Sequence, residues 1–225
     1  MLFERLSVYL GMIAAMFASI TTTAHGGALE NQLRAAAEQG NATEIRLILD
    51  KGANIEAKDS TGATPLLIAT HRNHVDAAKV LIEAGADVNA KDRIHDSPYL
   101  YAGARGHNAI LQMTLAHGAD VSSTNRYGGT ALIPAAERGH VETVRMLIAA
   151  GVDVNHINNL QWTALMEAIL LGNGDSNYIE IVRQLVQAKA DVNLPDGDGI
   201  TPLQHAQRRG YTQIADILRQ AGAGR

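Results

Sequence analysis

The chain has 225 residues, 19 Lys and Arg against 23 Asp and Glu, a net charge of −4, and no cysteine. A mildly acidic sequence without blocks of Lys or Arg is a poor nucleic-acid binder. The lack of cysteine excludes disulfides, a lipid-modified cysteine, thiolate metal ligands and a cysteine nucleophile, and it is compatible with an oxidising compartment.

Residues 1–24 stand apart from the rest. Leu6 to Ile20 is an apolar run broken only by small residues and one Tyr, with Arg5 before it and Thr22-Thr23-Ala24 after it. The pattern predicts a signal peptide that is cleaved, and hence export to the periplasm. Glu4 offsets Arg5 in the leading segment. The alternative is an uncleaved inner-membrane anchor, because Leu6 to Ala24 barely spans a bilayer.

From Ala28 onward a short phrase recurs. It reads Thr64-Pro65-Leu66, Ser97-Pro98-Tyr99, Thr130-Ala131-Leu132 and Thr163-Ala164-Leu165 at 33-residue steps, then Thr201-Pro202-Leu203 after a 38-residue step. A fainter first copy has Asn31-Gln32-Leu33, Ala36 and Gly40-Asn41. A period of this size predicts a solenoid built from one stacked unit. Thr before Pro is a helix start, since the hydroxyl caps a free N–H and Pro has no N–H to lose at the first helical position. Gly106 and Gly139 then break the first helix. A second helix follows, with apolar residues at helical spacing, as in Ala78, Leu81 and Ile82 or Val144, Leu147 and Ile148. Acid–base pairs three apart, Asp76 with Lys79, Glu142 with Arg145 and Glu180 with Arg183, are expected to keep its outer face wet. Segments such as Gly85-Ala86-Asp87-Val88-Asn89 and Gly151-Val152-Asp153-Val154-Asn155 close each unit and lead into a projecting turn. In the last unit Arg219 fills the stacking place held elsewhere by Leu49, Ile82, Leu115, Ile148 and Val186, as a solvent-facing end requires.

These positions, recurring together in register, resemble the ankyrin repeat. The resemblance implies an all-α ankyrin-repeat solenoid of six stacked helix-turn-helix units with projecting β-turns. The units are expected at about 28–60, 61–93, 94–126, 127–159, 160–197 and 198–225. The family's usual His after Thr-Pro-Leu is missing, with Leu67, Leu100, Ile133, Met166 and Gln204 in its place. Apolar packing is therefore expected where a hydrogen-bond ladder would run. The fifth unit departs further. It carries five extra residues within Leu171 to Tyr178, Gln161 in place of a turn Gly, and Lys189 in place of the helix-ending Gly.

The resemblance also says where to look for function, since such proteins bind partners with their turns and first helices. Arg72, Arg105 and Arg138 share one repeat position and are expected to form a column about 10 Å per step. Beside them the turns carry Ile94, Arg126, Tyr127, Asn159, Leu160 and Trp162, the chain's only Trp. An aromatic and apolar cluster rimmed by Arg has the composition of a binding hot spot. These nine residues are the candidate partner-binding set.

Other patterns carry less. His74, His107 and His140 align, but a His there is ordinary in the family's inter-helix turn. Asp191 to Gly199 lacks the spacing of an EF-hand loop, and Gly172-x-Gly174 follows no strand. No catalytic residue, cofactor, metal or small-molecule substrate is expected. The reading is a non-catalytic, monomeric module that binds a protein partner on its concave face. The chain is similar to small periplasmic ankyrin proteins, some of them associated with catalases. That adds help to a partner enzyme in peroxide defence as one role, an immunity-type inhibitor of a periplasmic toxin as another, and a membrane-anchored scaffold if residues 1–24 are retained.

Overall fold

The computed structural model describes residues 27–224. The signal-peptide reading of residues 1–24 lies outside them. The described residues contain helices and turns and no strand. The helices are α1 (27–39), α2 (Ala42–Asp50), α3 (Pro65–His71), α4 (Val75–Glu83), α5 (Pro98–Arg105) and α6 (Asn108–Ala116). They continue with α7 (Leu132–Glu137), α8 (Val141–Ala149), α9 (Ala164–Leu170), α10 (Ser176–Gln187), α11 (Pro202–Arg208) and α12 (Thr212–Gln220). Odd-numbered helices pack on odd and even on even, each pair against the next, so the six pairs form one stack.

The core runs through the stack without a break. Leu66, Leu81, Ile110, Leu132, Leu147, Leu165, Ile181 and Leu185 are fully buried, and each such side chain contributes roughly 1.5–3 kcal/mol of transfer free energy. Leu67, Leu100, Ile133 and Met166 are buried as well, so apolar packing does fill the place of the missing His. Polar ties between units lie elsewhere. Asn89 Oδ1 accepts from Asp120 N at 2.9 Å, Asn155 Oδ1 from Asp191 N at 2.7 Å, and Asn193 Oδ1 from Gly224 N at 3.0 Å. The Asn of each Asp-Val-Asn segment therefore clips its unit to the next.

The Thr-Pro phrase starts helices as its chemistry dictates. Thr64, Ser97 and Thr163 accept from the N–H three residues on, each at 3.2 Å, and Thr201 forms a full capping box with Gln204. The fourth unit is the exception. There α7 begins late, at Leu132, and the Thr130 hydroxyl is buried without a partner. Pro134 explains this. It has no N–H to give the Thr130 carbonyl, so Ile133 N turns to that carbonyl at 3.2 Å and is lost to the hydroxyl.

The aligned histidines belong to the scaffold. A ring nitrogen of His74 bonds the Glu38 carbonyl oxygen at 3.0 Å, and one of His107 bonds that of Thr70 at 3.1 Å. Burial holds His107 and His140 below the ordinary histidine range. In the later units tyrosines take over this link. Tyr178 Oη donates to Glu137 O at 2.8 Å and Tyr211 Oη to Gly172 O at 2.9 Å. The five extra residues thus lengthen α10 by about a turn at its start, behind an Asp175 cap, and set Tyr178 at the position a His holds elsewhere. On the outer face Glu142–Arg145 and Glu180–Arg183 pair as expected, whereas Lys79 turns to Glu83 at 3.8 Å rather than to Asp76.

Gln161 and Lys189 adopt φ of +62° and +70°, the left-handed conformation that the replaced glycines take in other units. A side chain there costs about 1 kcal/mol. Gln161→Gly and Lys189→Gly are each expected to raise stability by roughly 0.5–1 kcal/mol in a urea titration, with no change in the slope.

Candidate partner-binding groove

The inner side of the third, fourth and fifth units holds a groove of about 400 Å³. Its walls are set by three features of the repeat. The first is the turn. Asp59, Asp92, Asn125, Asn158 and Asp196 occupy one repeat position, and in each the Oδ1 accepts the N–H groups two and four residues on. For Asn125 the donors are Tyr127 at 2.9 Å and Gly129 at 3.1 Å. For Asn158 they are Leu160 at 2.9 Å and Trp162 at 3.0 Å. Such Asx turns satisfy the backbone of a projecting tip and fix its shape. Adjacent tips are also tied, with Asn159 N donating to Tyr127 O at 2.9 Å.

The second feature is the groove-facing column of the first helices, which carries Tyr101, Pro134 and Glu167 into the groove. The third is the helix ends, which bring Arg105, Glu137, Arg138 and Leu171 to its rim.

Glu167 is the unusual member. It is only 4% exposed. Asn158, whose Oδ1 is committed to the turn, uses its Nδ2 to donate to Glu167 Oε1 at 2.9 Å. Burial, aided by nearby Glu137, pushes the Glu167 carboxyl up to about 7, against the opposing pull of Asn158 and Arg138. The last unit makes the same link with roles exchanged. There Asp196 Oδ2 meets His205 Nε2 at 2.7 Å across the same nine-residue separation. A donor on the turn faces an acceptor on the helix in one unit, and the reverse holds in the other. Asp96, half-buried beside Asp92, also has its carboxyl raised, first by burial and then by that neighbour.

Of the nine candidate residues, Arg105, Arg126, Tyr127, Arg138 and Leu160 line this groove together. Tyr127 and Leu160 are each 55% exposed, and the Arg126 guanidinium lies 4.6 Å from the Tyr127 ring centre. The other four lie outside it. Ile94 is an exposed turn tip, and Arg72 is paired with Glu38 of the preceding unit. Asn159 packs against Gly128, and Trp162 is half-buried and not among the lining residues. The arginine column also ties units together, since Arg138 Nη1 donates to Ala104 O at 2.8 Å and Arg209 Nε to Ile169 O at 3.2 Å. Sequence reasoning passed over Asn158, Glu167 and Asp96. The available signal was a carboxylate at a helix position where Ile68, Tyr101 and Pro134 stand in other units.

Among the described residues no three His, Asp or Glu side chains converge as a metal site would need, and no helix is long and apolar enough to cross a membrane.

A stack of helix pairs with Asx-braced tips facing a shared groove is the architecture of a repeat-built interaction module. The family model for ankyrin repeats (3 copies) matches residues 12–92 and 99–196, and that for ankyrin repeats (many copies) matches 175–219. The chain belongs to the ankyrin repeat family, a family of protein–protein interaction modules. It is similar to an ankyrin repeat domain from Acinetobacter baumannii AYE, whose crystal structure superposes with a TM-score of 0.83 at 65% identity, covering 84% of this chain and 97% of that one. The ankyrin repeat protein EF0377 superposes with a TM-score of 0.82 at 43% identity, covering 85% and 98%. The ankyrin repeat protein YahD of Escherichia coli (strain K12) is 41% identical over 58 residues, which are 26% of this chain and 29% of that protein.

Proposed function

We propose that this chain is an exported, non-catalytic binding module that holds a protein partner in the groove of its third to fifth units. One observation carries the reading. Residues that differ from unit to unit, Arg126, Tyr127, Pro134, Leu160 and Glu167, converge on one concavity over a scaffold that repeats. Two exposed apolar tips flanked by arginine have the make-up of a hot spot.

Export rests on the apolar run and small residues of positions 6–24. Mass spectrometry of the natural protein tests it, with an N-terminus near His25 expected and an intact Met1 pointing to the anchored scaffold. In the periplasm the partner is an enzyme that the module assists, a catalase being the first candidate by resemblance to small exported ankyrin proteins. Pull-down from periplasmic extract is the test of the face. Tyr127→Ala with Leu160→Ala is expected to reduce recovery of the partner at least tenfold, the scale of two truncated hot-spot side chains. An unchanged set of retained proteins would remove the groove from consideration.

A further inference from the structure

The groove exposes its arginines and recesses its carboxyls, and this specifies the chemistry of its occupant. Three guanidinium groups, of Arg105, Arg126 and Arg138, and three carboxyls, of Asp96, Glu137 and Glu167, border one concavity. Among the described residues neither Arg105 nor Arg126 has a carboxylate within ion-pair distance. Each instead lies near a ring, Arg105 at 5.4 Å from the centre of Tyr101 and Arg126 at 4.6 Å from that of Tyr127. This leaves their N–H groups open to an acceptor.

The acids of the groove are less open to a ligand than its arginines. Glu137 stands 4.0 Å from Arg138 and offsets only that one. Glu167 is buried, has one oxygen held by Asn158, and loses most of its charge at mildly acidic pH. Asp96 is half-buried and feels the charge of Arg126 and Arg105 without reaching ion-pair distance of either.

We propose that the groove docks an acidic segment of the partner protein, with its carboxylates on Arg105 and Arg126 and an apolar side chain between Tyr127 and Leu160. The proposal rests on the groove being the partner-binding face. Arginine suits the role because its planar fork bonds a carboxylate through two parallel N–H groups. Complementary charge of this kind sets specificity and association rate and is weakened by salt.

The test uses the full chain and two fluorescein-labelled nonapeptides. Both have a central Leu-Phe; one is flanked by Asp and Glu, the other by Lys and Arg. Fluorescence anisotropy is expected to show the acidic peptide binding at least about tenfold more tightly than its basic twin. Raising salt from about 50 to 300 mM is expected to weaken it several-fold. Arg105→Ala with Arg126→Ala, both exposed positions, is expected to abolish the difference between the peptides while the circular dichroism melt stays unchanged. A basic peptide that binds equally or better, affinity indifferent to salt, or no binding of either peptide at millimolar concentration overturns the proposal. If the basic peptide wins and Tyr127→Ala still weakens it, the groove stands as the docking face and only its preference falls. If Tyr127→Ala and Leu160→Ala leave binding of both peptides intact, the underlying reading falls too.

Discussion

Glu167→Gln is expected to stabilise the protein at pH 8 and to leave it unchanged at pH 4. The carboxyl is raised from its ordinary 4.5 to about 7, chiefly by burial. A raised folded-state value means the folded protein holds this proton more tightly than the unfolded chain does. The stabilisation is complete below 4.5 and is lost as pH climbs through 7. At pH 8 the folded state therefore carries a buried carboxylate at a cost of up to roughly 3 kcal/mol. Gln keeps the acceptor for Asn158 Nδ2 without the charge. His71, His107 and His140 work in the opposite sense, because burial lowers them. Their contribution is present above 6.5 and fades as pH falls. The two effects overlap near neutrality, so the informative quantity is the variant minus the wild type in urea melts across pH 4 to 8. It is expected to rise from zero to on the order of 1–3 kcal/mol. Asn158→Asp, which sets a second carboxylate against the first, is expected to move the other way and to destabilise most at high pH. Adding Glu167→His to it would recreate the Asp196–His205 pair of the last unit and restore stability. A flat difference curve for Glu167→Gln would show that this carboxyl is solvated.

Gly172→Ala is expected to be among the most damaging small substitutions in the chain. Gly172 ends the first helix of the fifth unit. A methyl there would overlap the Ala168 carbonyl oxygen and stand 2.7 Å from Tyr178 Cε1. Backbone cannot yield cheaply, and Tyr178 is pinned by its bond to Glu137 O at 2.8 Å. Relief requires breaking the link between the fourth and fifth units, at a cost of about 2–4 kcal/mol. In a stack held by nearest-neighbour contacts that loss is local. The fifth and sixth units are expected to melt before the first four, giving two thermal transitions in calorimetry. Gly52→Ala is a useful contrast. It has a similar positive φ penalty to other turn glycines but nothing within 4 Å of the added methyl, so a single shifted transition is expected.

How much of this was legible in the sequence depends on whether a feature recurs. The helix pairs, the Thr caps and the left-handed positions of Gln161 and Lys189 follow from register alone, because each has copies for comparison. The late start of α7 did not follow, since it arises where Pro134 offers no N–H and the Thr130 carbonyl takes that of Ile133 from the Thr130 hydroxyl. Nor did the role of the five extra residues. Only the fold shows that they deliver Tyr178 to the place of a His. The groove was half legible. Arg126, Tyr127 and Leu160 announce themselves as exposed types on turn tips. Trp162, singled out for its size and rarity, lies outside the lining, while Asn158 and Glu167, ordinary residues nine apart, meet because turn and helix fold onto each other. Composition marks surface character well, and it says little about which surfaces face one another.

The claim that the inner groove is the docking face is tested most directly by site-specific photo-crosslinking in cells. A benzophenone amino acid placed at Tyr127 is expected to capture the partner in high yield. The same group at Arg145, exposed on the outer helix and paired only with Glu142, is expected to capture none. Equal capture at both positions, or capture at Arg145 alone, would contradict the account.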